Sequence, residues 1–166
     1  RRIVRLDSEK LVPVALQSIG SIQEPKIELQ YFGETLTEKE KQDLTKKLDN
    51  IFSFNQDLTE LYEFMEQNPE IAELKKQFFG LKAAGFGISV FECFIKSIIQ
   101  QQISIKVAYS ITNKMVTRFG ESIKTEGVVY YDFPTPEKFT ETSLEQIRNC
   151  GVSWRKAKSI KEIAQQ

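Results

Sequence analysis

A long apolar run, FECFIKSIIQQQISIKVAYSI at residues 91–111, is interrupted near its middle by three consecutive glutamines. The apolar segment before the block and the apolar positions after it, which fall at helical spacing, predict two helices that meet at a turn. Ser104 stands where the second helix needs a capping residue, and that helix is expected to run to Phe119-Gly120. No apolar run approaches the roughly 20 residues that a membrane span requires.

Short apolar runs bounded by turn residues fill the first 36 residues, and the clearest is KIELQYFG at residues 26–33. We interpret them as strands of a small antiparallel sheet. Thr37, with Glu40 three residues later, forms a capping-box pattern for a helix of about four turns. Two further helices are predicted, one through Leu58 and one starting at Asn68-Pro69, where asparagine is the expected cap.

Glycines in FFGLKAAGFGIS at residues 78–89 indicate a loop and a domain boundary. Beyond the apolar run, residues 121–132 (ESIKTEGVVYYD) show no clear period and are interpreted as a linker. Short helices are then predicted from the caps Thr135, Ser143 and Ser153. We therefore expect an α+β protein with a sheet-plus-helices domain at residues 1–80 and a mainly helical domain at residues 81–166.

The chain has no histidine and only two cysteines, Cys93 and Cys150. This composition argues against Ser-His-Asp triads, Cys/His nucleophile pairs and most zinc sites, so we do not expect a metal enzyme. The two thiols are interpreted as small buried apolar side chains.

The net charge of zero hides an asymmetry between the two halves of the chain. Residues 94–166 hold 11 Lys and Arg against 7 Asp and Glu, whereas residues 1–93 hold 12 against 16. The C-terminal half is the better candidate for binding an anionic partner. The first residues lack the apolar core of a signal peptide, so we expect an intracellular protein, cytoplasmic if its source is prokaryotic, that is not bound to a membrane.

Three uncharged amides between two packed helices have two interpretations. They can be exposed residues of an ordinary helix-helix turn. Alternatively, because a glutamine both donates and accepts hydrogen bonds without carrying charge, it can enter a nucleic-acid stack and pair with the edge that a displaced base leaves behind. A charged side chain would lose far more solvation there.

Two stretches in register, residues 91–121 with the QQIS turn and residues 133–164 with FPTPE and GVSWRKA, resemble the helix-hairpin-helix superfamily of DNA glycosylases. Within it they are most similar to the DNA-3-methyladenine glycosylase II branch. The resemblance covers residues 57–166, and the N-terminal sheet also suits that branch. It implies a repair enzyme that extrudes a damaged, alkylated base from double-stranded DNA and cleaves its N-glycosidic bond without a metal or organic cofactor.

The resemblance also implies roles for particular residues. Gln102 would wedge into the gap left by the extruded nucleotide, with Gln101 and Ile103 beside it. Independently of the resemblance, positive charge and the helix dipole make Arg155 and Lys156, at the start of the last helix, candidates for binding DNA phosphate, although a solvated basic surface is an equal interpretation. The family commonly has glycine where this chain has Gln100, which puts in question how closely the backbone approaches DNA.

The family's catalytic aspartate follows a glycine-rich hairpin, and neither is found in residues 1–166. We therefore expect a fragment, incomplete at its C-terminus, with no catalytic residue and no activity of its own. Asp132 precedes the FPTPE motif and is on the wrong side of the motif order to replace that aspartate. Glu92 and Glu145 are interpreted as surface or helix-start carboxylates.

Other interpretations stay open. The same fold could act on an oxidised base, or the chain could be a non-enzymatic helical module that binds DNA or a protein, and protein partners are unknown. Trp154 could stack on a base, but packing as an apolar anchor at the start of the last helix is the favoured interpretation.

Overall fold

The computed structural model describes residues 2–85 and 87–166, so Arg1, in the first predicted strand region, and Phe86, in the predicted glycine loop, lie outside the described residues. A small antiparallel sheet is followed by a mainly helical region, which confirms the expected α+β class. The elements in chain order are β1 (Arg2–Arg5), β2 (Leu11–Ser18), β3 (Ile27–Tyr31), α1 (Glu38–Phe52), α2 (Thr59–Gln67), α3 (Pro69–Gln77), α4 (Val90–Gln100), α5 (Ile105–Phe119), β4 (Ser122–Thr125), β5 (Val128–Tyr131), α6 (Pro136–Glu141), α7 (Leu144–Arg148) and α8 (Trp154–Ala164).

The N-terminal sheet has the strand order β1-β2-β3, and its buried face packs on α1. Alternate residues of β1 and β2 enter this core because side chains on a strand point to opposite faces in turn. Helix α1 begins with the predicted capping box, in which Thr37 and Glu40 each bond to the other's backbone amide. The core consists of Val4, Leu6, Val12, Val14, Leu36, Leu44 and Leu48.

Asn68 is the residue before α3, as predicted, but its side chain does not cap that helix. Its amide nitrogen instead donates a hydrogen bond to the carbonyl oxygen of Phe64 at 2.6 Å, at the end of α2. The prediction that the Asn68 side chain caps α3 was therefore wrong. Helices α2 and α3 contain no fully buried residue.

The helical half has a second core, to which α4, α5, α6, α7 and α8 all contribute. The side chains of Ile95, Ile99, Met115, Phe139, Ala157 and Ile160 are at 0% exposure. Capping serines and threonines occur as predicted at the starts of α5, α6, α7 and α8. This core places the junction of α4 and α5 against the start of α8.

The segment interpreted as a linker is in fact a β-hairpin, so that prediction was wrong. Strands β4 and β5 pair antiparallel through a two-residue turn at Glu126 and Gly127, whose φ angles are 50° and 75°. Two successive positive φ angles are typical of the tight turns that join twisted strands. Tyr130 is buried in this hairpin and stacks on Phe32 with ring centroids 6.4 Å apart.

Ion pairs and apolar contacts connect the N-terminal sheet to the helical half. Arg2 on β1 pairs with Glu92 on α4 at 3.2 Å, and Arg5 on β1 pairs with Asp132 at 2.9 Å. Ile88, which lies just before α4, packs on the core of the N-terminal sheet. A boundary near residue 80 therefore stays a prediction.

Candidate nucleic-acid interface

The three glutamines form the junction between α4 and α5. Gln100 is the last residue of α4, Gln101 has φ −54° and ψ 127°, and Gln102 has φ 57°. The amide of Ile103 donates to the carbonyl oxygen of Gln100 at 3.4 Å. These angles and this bond are typical of a type II β-turn with Gln102 at its third position, where glycine or asparagine is usual.

Gln102 therefore has a backbone conformation that its residue type disfavours. A left-handed φ costs a residue with a β-carbon about 1–2 kcal/mol. Such residues often occur at functional sites, where the surrounding structure holds them in place. Glu9, Ser53 and Glu126 also have positive φ, so this angle alone does not identify a site.

The predicted wedge residues differ in exposure. Gln101 and Gln102 are both exposed, whereas Ile103 is half-buried and packs against the helical core. Ser104 follows, and its hydroxyl oxygen accepts a hydrogen bond from the amide of Val107 at 3.4 Å to cap α5. The turn thus presents two amide side chains to solvent above an apolar residue that attaches it to the core.

Apolar side chains beside the turn are also exposed, which the sequence patterns did not predict. On the first turns of α5, Ile105 is 69% exposed and Tyr109 is 64% exposed. Helical spacing places them away from the buried face of Ala108, Ile111 and Met115, but no pattern in the sequence indicates that they border the turn. They extend the surface around Gln102 with groups that can contact sugar and base faces.

Arg155 and Lys156 lie in the first turn of α8, as predicted, but they differ in environment. Arg155 is exposed. The Lys156 ammonium donates to the carbonyl oxygens of Ile99, at 2.9 Å, and Gln101, at 2.7 Å. The structure therefore shows Lys156 bound to the glutamine turn, and Arg155 is the better placed of the two to contact phosphate.

Trp154 is not packed as an apolar anchor, because 51% of its surface is exposed. The guanidinium of Arg148 lies 5.0 Å from the centroid of its ring. A cation held over an indole ring is attracted to the negative face of the ring. One exposed aromatic ring therefore stands at the start of α8, next to Arg155.

Glu92 lies in the first turn of α4, as the helix-start interpretation expects, but it is not a surface carboxylate, because it is only 3% exposed. Burial raises its pKa, but the charges of Arg2 and Lys96 and the hydrogen bonds from Lys96 and the Ile88 amide outweigh burial and hold the pKa below its ordinary value. Glu145 is exposed in the first turn of α7, as expected. Neither carboxylate is in the glutamine turn.

Asp132 is also buried, at 5% exposure, and pairs with Arg5. Burial is the main cause that raises the pKa of this carboxyl, and the charge of Arg5 opposes it. Both buried carboxylates line a cavity of about 740 Å³ between the N-terminal sheet and the helical half. Among the described residues that line this cavity, none belongs to the turn at 101–103.

The two thiols differ in burial. Cys150 is buried, and burial raises the pKa of its thiol, while Cys93 is half-buried. Within residues 2–85 and 87–166, no three Cys, Asp or Glu side chains are placed to hold a metal ion together. In the same ranges, no helix is long and apolar enough to cross a membrane.

The comparisons with known proteins bear on the helical half and on the whole chain. Residues 95–166 match the family described as "HhH-GPD superfamily base excision DNA repair protein". A DNA-3-methyladenine glycosylase of Bacillus subtilis is 27% identical over 124 residues, which are 75% of this chain and 41% of that protein. DNA-3-methyladenine glycosylase 1 of Schizosaccharomyces pombe is 36% identical over 75 residues, which are 45% of this chain and 29% of that protein.

Solved structures extend the similarity to the N-terminal sheet. A 3-methyladenine DNA-glycosylase from Archaeoglobus fulgidus is 35% identical with a TM-score of 0.86, covering 100% of this chain and 55% of that one. A Clostridium acetobutylicum 8-oxoguanine glycosylase/lyase in complex with double-stranded DNA is 19% identical, covering 99% of this chain and 54% of that one with a TM-score of 0.70, and shows the fold alone. The chain spans less than half the length of the curated relatives that it matches.

Proposed function

Because this chain belongs to the HhH-GPD superfamily of base excision DNA repair proteins, we propose that it is part of a DNA glycosylase for alkylated bases. The enzyme extrudes the damaged base from double-stranded DNA inside the cell, and its N-glycosidic bond is then hydrolysed. Gln102, exposed on a left-handed backbone at the junction of α4 and α5, is the observation that carries this proposal.

The wedge role follows from the chemistry of the glutamine side chain. Extruding a nucleotide costs a few kcal/mol of stacking and pairing, and this cost is least for a damaged or mispaired base. An amide that enters the gap can donate to and accept from the base left without a partner. Gln101 and Ile103 support it, since one is exposed beside it and the other packs on the core.

The surroundings of the turn fit the binding of a DNA backbone. Arg155 is exposed at the start of α8, and its charge can bind phosphate without reading sequence. Trp154 and Ile105 add exposed apolar surface at the starts of α8 and α5. The logarithm of the association constant should therefore fall linearly with the logarithm of the salt concentration. The steepness of this fall, the salt slope, should be about 0.9 for each phosphate contact.

Replacing Gln102 tests this proposal. We expect wild-type protein to bind a duplex with an abasic analogue more tightly than the intact duplex, because the gap is already open. Gln102→Ala should reduce that preference about tenfold, which corresponds to the loss of one or two hydrogen bonds at the gap. Fluorescence anisotropy with both duplexes measures the preference.

Gln56→Ala is the matched control, since Gln56 is an exposed glutamine between α1 and α2. Its preference for the abasic duplex should equal that of the wild type. Equal binding of the two duplexes by wild-type protein would refute the wedge, and binding of neither would leave this chain without the DNA partner proposed for it.

We expect no base release by the 166 residues alone, because the proposal assigns no catalytic role to any of them. The assay incubates purified protein with duplexes that carry 3-methyladenine or 8-oxoguanine and follows the free base by chromatography. Release of 3-methyladenine would show that a residue of this chain is catalytic. Release of 8-oxoguanine alone would replace the alkylated substrate with an oxidised one.

A further inference from the structure

Lys156 connects the start of α8 to the glutamine turn. Its ammonium donates hydrogen bonds to two carbonyl oxygens, that of Ile99 at 2.9 Å and that of Gln101 at 2.7 Å. One acceptor belongs to the last turn of α4, and the other belongs to the second residue of the β-turn. A single side chain thus holds both the end of the helix and the peptide that precedes Gln102.

The carbonyl of Gln101 is the group that distinguishes the two common β-turns. In a type II turn the second residue has ψ near 120° and the third has a positive φ, whereas in a type I turn these angles are near −30° and −90°. When one turn type converts to the other, the central peptide flips and its carbonyl oxygen points to the opposite side. An ammonium bound to Gln101 O therefore favours the type II turn.

Glutamine at position 102 does not favour that turn by itself. A side chain with a β-carbon disfavours positive φ, and glycine or asparagine normally occupies this position of a type II turn. Something outside the turn must therefore stabilise the observed φ of 57°. The bond from Lys156 to Gln101 O is a direct contact that does so.

Helix α4 also needs a donor at this end. The last four carbonyl groups of a helix have no partner within it, and α4 has no basic residue in its last turn. Lys156 supplies that charge from another helix. Because Ala157 and Ile160 of α8 are at 0% exposure, the helix that carries this lysine is packed firmly in the core.

We infer that Lys156 is a positioning residue for Gln102, and that it orients the wedge through the backbone rather than by binding phosphate. This role rests on the proposed function for its effect on DNA. Its effect on the turn does not depend on DNA, so the two can be tested separately.

The first experiment examines the turn in the free protein by NMR. In the wild type, the α-proton of Gln101 should show a strong NOE to the amide proton of Gln102, as a type II turn requires. Lys156→Met keeps the apolar stem and removes the ammonium, and it should replace this NOE with one between the amide protons of residues 101 and 102. An unchanged NOE pattern in this variant would overturn the inference.

A second substitution separates the turn from general loss of structure. In Lys156→Met combined with Gln102→Gly, glycine favours the type II turn without help, so the original NOE between residues 101 and 102 should return. If it does not return, the lysine stabilises the end of α4 rather than the turn, and the inference is wrong. Lys156→Arg, whose guanidinium can also bond to two carbonyl oxygens, should keep the wild-type pattern.

The DNA experiment compares Lys156→Met with Lys158→Met, which removes the same charge from an exposed position on α8. Lys156→Met should lower the preference for the abasic duplex about tenfold and leave the salt slope unchanged. Lys158→Met should leave the preference unchanged. A salt slope reduced by about 0.9 for Lys156→Met, with equal losses for both duplexes, would show a phosphate contact and overturn the positioning role.

The two experiments fail in different ways. If wild-type protein has no preference for the abasic duplex, the proposed function fails, and the NOE pattern of Lys156→Met still decides the inference. If the preference exists and the NOE pattern changes without loss of preference, the lysine sets the turn but does not position the wedge, and the inference falls while the function stands.

Discussion

Phe139→Ala should lower the free energy of unfolding by about 3–5 kcal/mol, as expected when a buried phenylalanine is truncated in a packed core. The Phe139 side chain is at 0% exposure, and the centroid of its ring lies 5.9 Å from the ring centroids of both Phe91 and Phe119. Phe139 belongs to the short helix α6, and it therefore connects that helix to the first turn of α4 and to the last residue of α5. Urea unfolding followed by circular dichroism measures the change.

Phe94→Ala is the control for this substitution, because Phe94 is on α4 but is 54% exposed. It should cost less than about 1 kcal/mol, since little apolar surface leaves the core. A loss for Phe139→Ala no larger than that of the control would mean that α6 does not hold the ends of α4 and α5 together.

Local signals were sufficient to predict most of the helices. Thr37, Ser104, Ser143 and Ser153 each accept a bond from a backbone amide of the helix that follows, as their position before an apolar period predicts. Such caps depend on residues within four positions of one another. For this reason they can be identified without knowledge of the tertiary structure.

The β4–β5 hairpin was missed because its local signals are weak. Its turn is Glu126-Gly127 instead of the commoner Asn-Gly or Asp-Gly, and β5 reads Val-Val-Tyr-Tyr, so no alternation of apolar and polar residues appears. The pairing is stabilised by contacts with the N-terminal sheet, such as the stacking of Tyr130 on Phe32. Those contacts are distant in the sequence.

The candidate site could be predicted only in part, for a similar reason. The three glutamines and the resemblance to a family led to Gln102, and the helical spacing correctly placed it between two helices. No pattern could show that Lys156, which is 55 positions from Gln101, binds its carbonyl oxygen. The burial of Glu92 depends on Arg2, a partner 90 positions away.

Glu92 is a buried anion held between two cations. Its side chain is 4% exposed, Arg2 lies 3.2 Å away, and Lys96 pairs with it from one turn further along α4. The amide of Ile88 donates to the same carboxylate at 2.8 Å. Gly87 is required beside it, because a β-carbon there would stand 2.6 Å from Cγ of Glu92.

Glu92→Gln should lower the free energy of unfolding at pH 7 by about 3 kcal/mol, since removal of one partner from a buried ion pair leaves the others uncompensated. Arg2 and Lys96 are partly exposed, so water offsets some of that loss and keeps it at the low end of the range for buried pairs. Chemical denaturation at several pH values measures the change. Glu145→Gln, at an exposed position on α7, should change stability by no more than about 0.5 kcal/mol.

The pH dependence of this difference follows from the pKa of Glu92. Because the folded protein holds the pKa below the ordinary value of 4.5, the carboxylate contributes its full stability above that pH and loses it as the pH falls through the folded pKa. The difference in free energy of unfolding between wild type and Glu92→Gln should therefore be constant from pH 7 to about 5.5 and become smaller in more acidic solution. A difference that grows on acidification would mean that burial, rather than the charges of Arg2 and Lys96, determines the pKa of this carboxylate. In that case the ion pairs would not be what attaches β1 to the helix that ends at the glutamine turn.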